Sequence, residues 1–356
     1  MGNSYIPPLL LASLGQSSHT PHFGQGLQQA AFGQSFPATF LGQSLPYRSR
    51  IDWNARFAHW ERSESDSETK RIERARDMVH AALELDSWFA DQGIKIVPQG
   101  SFTNRTNTRL EADIDLRVEH PMLKVEYDAT VDAAQAWTAG GYYSTGVTFD
   151  DVMKAMRSRL GTTLLRTFGK SVDVSGKKAI RVKGLEGSRG EVDVVPAFVL
   201  HKIRGTLLSG YSTVVGTAIL SKDGNWTHNF PEQHIANGRA KRLRTGLQFK
   251  RVVRIVKRLR TDMAERGLYT TKVPSFLIEC LVYLVEDEYF TVQGDDRYGR
   301  TQRILRRLDA ILKNSLSPIW LREINGVKLL FGSEQAWTYS TATSFVAAAL
   351  VHLGGA

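Results

Sequence analysis

The chain has 356 residues, 42% of them hydrophobic, and a formal net charge of +10 at pH 7. This composition is ordinary for a globular enzyme of one or two domains, and it excludes a wholly disordered, collagen-like or coiled-coil chain. The single cysteine, Cys280, excludes a disulfide framework and a multi-cysteine zinc site. The charge favours anionic partners. The longest apolar runs fall short of the ~20 residues that a membrane span needs, so we expect a cytoplasmic protein without membrane contact.

Residues 1–48 differ in composition from the rest of the chain. They are rich in Gly, Gln, Ser and Pro, they lack acidic residues, and a Leu/Phe-Gly-Gln unit recurs every nine residues. Short units that each contain Gly cannot bury a core, so we expect a flexible tail.

Residues 49–204 show helix and strand patterns in alternation, which predicts a mixed α/β lobe. Apolar residues at three- and four-residue spacing predict helices, and alternating apolar and polar residues predict strands. The predicted helices span 66–90 and 150–168, and the predicted strands span 94–97, 114–118, 171–175, 179–183 and 191–199.

Residues 205–356 are predicted to form a helical lobe. The predicted helices span 247–266, 274–288, 300–314 and 334–353. The fold class is therefore α+β, with a sheet lobe followed by a helical lobe.

Three aspartates are the strongest candidates for chemistry. Asp113 and Asp115 are two apart on a predicted strand, so their side chains share one face, and Asp193 lies on a later strand. The alternative is that these acids only keep a strand edge soluble, but the pair lies beside the apolar residues Ile114 and Leu116. Buried charges are rarely kept unless they are paired or bind metal. Hard carboxylate oxygens favour Mg²⁺ or Mn²⁺, and two such ions can clamp both the attacking and the leaving oxygens of a phosphoryl transfer.

A Gly-Ser turn precedes the acid pair. Gln99, Gly100 and Ser101 follow the predicted strand 94–97. Glycine allows a phosphate to approach the backbone closely, and a serine hydroxyl with nearby N–H groups can bind it. The order of strand, Gly-Ser, Asp-x-Asp and a later Asp is more informative than the dipeptide alone.

This order resembles the polymerase-β-like nucleotidyltransferase superfamily. The stretches 99–102, 112–115, 193–197, 249–257 and 274–279 are similar to the bacterial cGAS/DncV-like nucleotidyltransferases. The resemblance implies an active site in the cleft between a sheet lobe and a helical lobe. It also implies the joining of ribonucleoside triphosphates into a cyclic di- or trinucleotide, with release of pyrophosphate, in bacterial anti-phage signalling.

The resemblance also implies residue roles. Asp113, Asp115 and Asp193 would hold two Mg²⁺ ions, or Mn²⁺, and Asp193 would favour deprotonation of the attacking ribose hydroxyl. The donor triphosphate would contact the Gly-Ser turn, which includes Gln99, Gly100 and Ser101. From the helical lobe it would contact Lys257 and Ser275, with Lys250 and Arg254 as alternatives on the same helix. A product-sensing effector protein and conjugation of the C-terminus are implied partners, and nucleic acid is not required.

The residues themselves leave alternatives open. Ten basic residues and no acidic ones lie between Arg239 and Arg260, which fits bound triphosphates, a nucleic acid backbone or a solvated basic face. An RNA-tailing enzyme that adds nucleotides linearly is the second hypothesis, and a non-catalytic basic RNA-binding protein is the third. We interpret His234 as a structural histidine in a loop.

Overall fold

The fold is that of a computed structural model, which describes residues 49–108, 113–314 and 317–354. The repeat-bearing stretch at 1–48 and the last two residues, on which the tail and conjugation predictions depend, lie outside the described residues. None of the helices in the three described ranges combines the length and the hydrophobicity that crossing a lipid bilayer requires.

Helices and strands alternate in the first part of the chain, and helices follow. The helices are α1 (Arg50–Trp60), α2 (Asp66–Glu84), α3 (Ser87–Asp91), α4 (Gly100–Asn104), α5 (Ala133–Ala139), α6 (Phe149–Phe168), α7 (Pro231–Arg244), α8 (Gln248–Glu265), α9 (Ser275–Leu284), α10 (Arg297–Lys313), α11 (Ser317–Trp320) and α12 (Tyr339–His352). The strands are β1 (Lys95–Gln99), β2 (Asp113–Tyr127), β3 (Val172–Asp173), β4 (Ile180–Val182), β5 (Glu191–Thr206), β6 (Gly210–Leu220) and β7 (Trp226–Asn229).

One mixed sheet contains all of these described strands. Its order is β1-β2-β5-β4-β3, with β6 paired to β5 and β7 paired to β6. The central pair, β2 and β5, is parallel, and the other pairs are antiparallel. β5 is long enough to pair with β4 through its first residues and with β6 through its last ones.

The sheet buries one face beneath α2 and α6. Ile114, Leu116 and Val118 of β2 are almost fully buried against apolar residues of these helices, such as Val79 and Leu160. Alternation along the strand places the intervening polar residues on the opposite face. The apolar half of the β2 pattern therefore holds the sheet to its helices, and the acidic half faces the candidate site.

A second core lies among α8, α9, α10 and α12, and α1 belongs to it. Trp53, Phe57 and Trp60 of α1 are buried in the same cluster as Val253 and Leu281. From the sequence, residues from 49 onward are expected to belong to the sheet lobe, but α1 packs with the helices of the second core. Its three aromatic residues fall at three- and four-residue spacing, a pattern that could have predicted the helix but not its neighbours.

The structure corrects three further sequence predictions. His234 lies in α7 and not in a loop, because Pro231 begins a helix there. The strands continue to Asn229, beyond the predicted border near residue 205, because β6 and β7 extend the sheet beside β5. The predicted helix 66–90 is two helices, because the Asp86 side chain accepts a hydrogen bond from the Trp88 N–H and caps α3. The α+β class and the sheet-then-helix order are confirmed.

We predict that Phe57→Ala destabilises the protein, because Phe57 packs both with its neighbours on α1 and in a cluster with residues far along the chain. Phe57 is fully buried, so its truncation leaves a cavity that costs about 3–5 kcal/mol in the free energy of unfolding. Denaturant unfolding measures the loss. Ile51→Ala on the same helix is the control, since Ile51 is 80% exposed and its truncation should cost less than about 0.5 kcal/mol. Equal effects would contradict the packing of α1.

Candidate active site

Four polar residues form one row across the sheet, each paired with its neighbour on the next strand. The row contains Gln99 of β1, Asp115 of β2, Asp193 of β5 and Arg181 of β4. Residues paired in register point to the same face, so the two carboxylates lie side by side. Asp113 is two residues before Asp115 and shares this face.

The three aspartates concentrate negative charge in a partly desolvated part of the sheet. Burial, and then the charges of Asp113 and Asp193, raise the pKa of Asp115 to about 7. Each of these effects disfavours the ionised carboxylate, and a cation would relieve all of them. The oxygen donors and their excess charge therefore fit a divalent metal ion.

Asp193 is paired with an arginine in this structure. Arg181 donates from Nε to Oδ1 of Asp193 at 2.9 Å and from Nη2 to Oδ2 at 3.3 Å, and it also reaches Glu191. As the side chains stand, no three His, Cys, Asp or Glu residues within the described ranges are arranged to hold a metal ion. A metal that binds all three aspartates must therefore compete with Arg181 for Asp193.

Gly100 is required where the backbone meets Asp115. It has a φ of 79°, and a β-carbon built on it would collide with Oδ2 of Asp115. A side chain at this position would thus meet both a strained backbone and the carboxylate. Gly100 begins α4, so the turn can approach the acid row closely.

A polar chain ties the Gly-Ser turn to the start of β2. Ser101 Oγ donates to Oδ1 of Asn107, and Nδ2 of Asn107 donates to the carbonyl of Asp113 at 3.3 Å. Asn107 is buried, so these bonds are shielded from water. The turn and the acid pair are therefore held together by side chains as well as by strand pairing.

The basic residues of α8 contact the end of this turn. Each donates to one of three successive backbone carbonyls, which belong to the last residue of α4 and to the two residues after it. The bonds run from Lys250 Nζ to Asn104 at 2.6 Å, from Arg254 Nη1 to Arg105 at 2.6 Å and from Lys257 Nζ to Thr106 at 3.0 Å. These contacts give the three cations a structural role that the sequence did not reveal, and their role in triphosphate binding stays a prediction.

Lys257 belongs to a buried ionic cluster between the sheet and the helices. Its Nζ lies 2.6 Å from Oε1 of Glu279, which also accepts from the Thr106 hydroxyl at 2.7 Å, and His234 Nε2 lies 3.3 Å from Oε2. Burial raises the pKa of Glu279, but the Lys257 charge and His234 outweigh it and hold this pKa well below its usual range. The cluster keeps Glu279 ionised.

Ser275 stands apart from this cluster, as the first residue of α9. Its hydroxyl accepts a hydrogen bond from Arg260 at 3.0 Å. Four residues of the site were not predicted from the sequence: Asn107, Arg181, Arg260 and Glu279. Their roles depend on contacts between distant segments, which the sequence does not show. Only Glu279 left a signal in the sequence, because it is an acid within the otherwise apolar helix α9.

Comparisons with known proteins identify the family. Residues 236–354 match the model of the cGAS/DncV-like nucleotidyltransferase C-terminal helical domain. The chain is 34% identical over 305 residues to the cyclic dipyrimidine nucleotide synthase CdnE of Legionella pneumophila, covering 83% of this chain and 96% of the relative. The chain belongs to the cGAS/DncV-like nucleotidyltransferases.

Two further relatives agree with this assignment. The cyclic dipurine nucleotide synthase of Elizabethkingia meningoseptica is 30% identical over 83% of this chain and 96% of its own length. The structure of the Rhodothermus marinus CdnE c-UMP-AMP synthase, with Apcpp and Upnpp, superposes with a TM-score of 0.69 at 25% identity, covering 85% of this chain and 96% of that chain. The predicted nucleotidyltransferase fold and the synthesis of cyclic oligonucleotides are confirmed.

We predict that Gly100→Ala abolishes activity while the protein stays folded. The new methyl group displaces the Asp115 carboxylate, and the positive φ adds strain of about 1–2 kcal/mol. Gly224→Ala is the matched control, because Gly224 has the same φ of 79° but nothing within 4 Å of the added carbon. Denaturant unfolding and nucleotide turnover separate the effects. Equal turnover in the two variants would contradict the role of Gly100.

We predict that Lys257→Met destabilises the protein by about 3–5 kcal/mol, because Glu279 is left buried without its cation. The double variant Lys257→Met/Glu279→Leu should regain part of this loss, since no acid then lacks a partner. Denaturant unfolding measures both variants. Lys272→Met removes an exposed lysine and should change stability by less than about 0.5 kcal/mol. A Lys257→Met protein as stable as this control would refute the pairing.

Proposed function

We propose that this protein joins two ribonucleoside triphosphates into a cyclic dinucleotide, releasing pyrophosphate, and that Asp113, Asp115 and Asp193 are its catalytic acids. The observation that carries the proposal is the registered row that sets Asp115 beside Asp193, with Asp113 on the same face and Gly100 in contact with Asp115. Two relatives that match along 83% of the chain are named for dipyrimidine and dipurine cyclic nucleotides.

The acids are proposed to hold two Mg²⁺ ions, which would stabilise the charge on the attacking and leaving oxygens. The Gly-Ser turn of Gln99, Gly100 and Ser101 lies next to these acids and would take the donor triphosphate, since its backbone can approach phosphate closely. Asp193 would favour loss of the proton from the attacking ribose hydroxyl. In this account the chain contributes mainly position and electrostatic stabilisation.

The comparisons support the size of the product more than its bases. The relative with 30% identity is named for a dipurine product and the one with 34% identity for a dipyrimidine product. Similar overall identity therefore accompanies different base choices. An effector protein that senses the product in anti-phage defence, and C-terminal conjugation, stay predictions from the resemblance.

We predict that incubation with ATP, GTP, CTP and UTP plus Mg²⁺ gives a product that resists phosphatase and has the mass of a cyclic dinucleotide. Asp115→Asn should lower turnover at least ~100-fold, because it removes a metal-binding charge but keeps the shape. Mass spectrometry identifies the product. Asp223→Asn, in the loop before β7, is the control and should leave turnover unchanged. A labelled RNA primer that lengthens, with no cyclic product, would favour the linear nucleotide-adding enzyme instead.

We also predict that Arg181→Ala binds Mn²⁺ more tightly than the wild type in the absence of nucleotide. The guanidinium occupies both oxygens of Asp193, so its removal frees a ligand and removes a repelling charge. Electron paramagnetic resonance measures free Mn²⁺, and about tenfold tighter binding is expected. Arg166→Ala removes an exposed arginine of α6 as the control. Unchanged or weaker binding in Arg181→Ala would show that the arginine does not compete with the metal.

A further inference from the structure

A cavity lined by cations lies at the C-terminal end of α4, where α8 meets the segment after α1. Its volume is about 130 Å³, several times the roughly 30 Å³ that one water molecule takes in the liquid. Its basic lining residues are Arg105, Arg242, Lys250, Arg251 and Arg254, and Ser63 adds a hydroxyl. This space is large enough for a phosphate group.

Acids offset the positive charge of this cavity only in part. Among the residues that the structure describes, no carboxylate lines it, and no acid or carbonyl pairs with the side chains of Arg105, Arg242 or Arg251. Burial, then the charge of Arg242, lower the pKa of Lys250 to about 8. Burial also lowers the pKa of Arg254 to about 10, although Glu64 and Glu61 oppose the shift. Like charges therefore repel one another in a partly desolvated place.

Other arginines of the protein have acidic partners. Arg159 pairs with Asp86 at 2.6 Å, and Arg297 pairs with Glu61 at 2.9 Å. A solvated basic face would keep its charges apart in water, whereas these five surround one concave space. The arrangement is typical of a site that a bound anion completes.

This cavity is separate from the catalytic row. Neither the three catalytic aspartates nor Gly100 and Ser101 line it. Gly100 begins α4 beside Asp115, and Arg105 follows the other end of this five-residue helix, which is about 7.5 Å long. Lys250 and Arg254 line the cavity and also hold the carbonyls of Asn104 and Arg105. An anion here would act on the far end of the turn whose near end meets the acids.

We propose that this cavity is an effector site that binds the phosphate group of a small anion, and that its occupation stabilises the packing of α8 on α4. The ligand would accept charge-assisted hydrogen bonds from Arg242 and Arg251, which lack partners among the described residues. This proposal can fail or hold independently of the proposed catalytic roles, because anion binding to the cavity is measured without turnover.

The test uses the full chain without divalent metal, at constant ionic strength set with KCl. Inorganic phosphate and AMP are titrated separately by calorimetry and by thermal unfolding. We expect phosphate to raise the melting temperature of the wild type. The variant Arg242→Gln/Arg251→Gln should weaken phosphate binding by about tenfold or more, the loss expected when charge-assisted hydrogen bonds are removed. Without anion this variant should be as stable as the wild type or more so, because it relieves repulsion and breaks no ion pair.

The matched control is Arg166→Ala, which removes one exposed positive charge of α6 far from the cavity residues in sequence. It should bind phosphate like the wild type. Equal stabilisation of the wild type and the double variant by phosphate would overturn the proposal. Phosphate would then be attracted by the net positive charge of the protein and not by Arg242 and Arg251. Protection by a single-stranded RNA oligonucleotide, with none by phosphate or AMP, would also overturn it in favour of a nucleic acid surface. Binding of AMP without binding of inorganic phosphate would show that the cavity recognises the nucleoside and not the phosphate group, which contradicts the proposal.

Discussion

The candidate site depends on how one short turn is held from two sides. Strand pairing fixes Asp115 beside Asp193, and Gly100 brings the turn into contact with Asp115. On the other side, cations of α8 donate to the three carbonyls that end the turn. Free carbonyls at a helix end need donors, and buried cations need acceptors, so each group satisfies the other. The position of the turn therefore couples the sheet to the helices.

Glu279 makes this coupling specific. It is an acid on a strongly apolar helix, and it joins Lys257, Thr106 and His234 from three other segments. A buried ion pair contributes little net stability over apolar packing, but it tolerates few alternative arrangements, because each polar group must keep its partner. We infer that this cluster fixes the register of α8 and α9 against the Gly-Ser turn.

Much of the fold could be predicted from the sequence, because periodicity reports local structure well. α6 and α8 lie within a residue or two of their predicted bounds, and the Asp113, Asp115 and Asp193 pattern predicts a shared face that strand pairing confirms. The strands β6 and β7 were missed because their alternation is weak and because the pairing of β6 with β5, and of β7 with β6, depends on the tertiary structure. The partners of Lys257 and Asp193 were missed for the same reason, since a one-dimensional pattern shows which residues share a face but not what faces them.

Charge balance connects the catalytic row with the basic cavity. In the row, carboxylates outnumber cations, and Arg181 offsets part of the excess. The described residues that line the cavity include five cations and no carboxylate. The two concentrations of opposite charge lie at opposite ends of α4 and do not neutralise each other through direct contact. Each end therefore favours a ligand of opposite charge: a divalent ion at the acids, and an anion at the arginines. A helix of five residues between them has little freedom to move one end without the other, so occupation of either site would restrict the turn that both share.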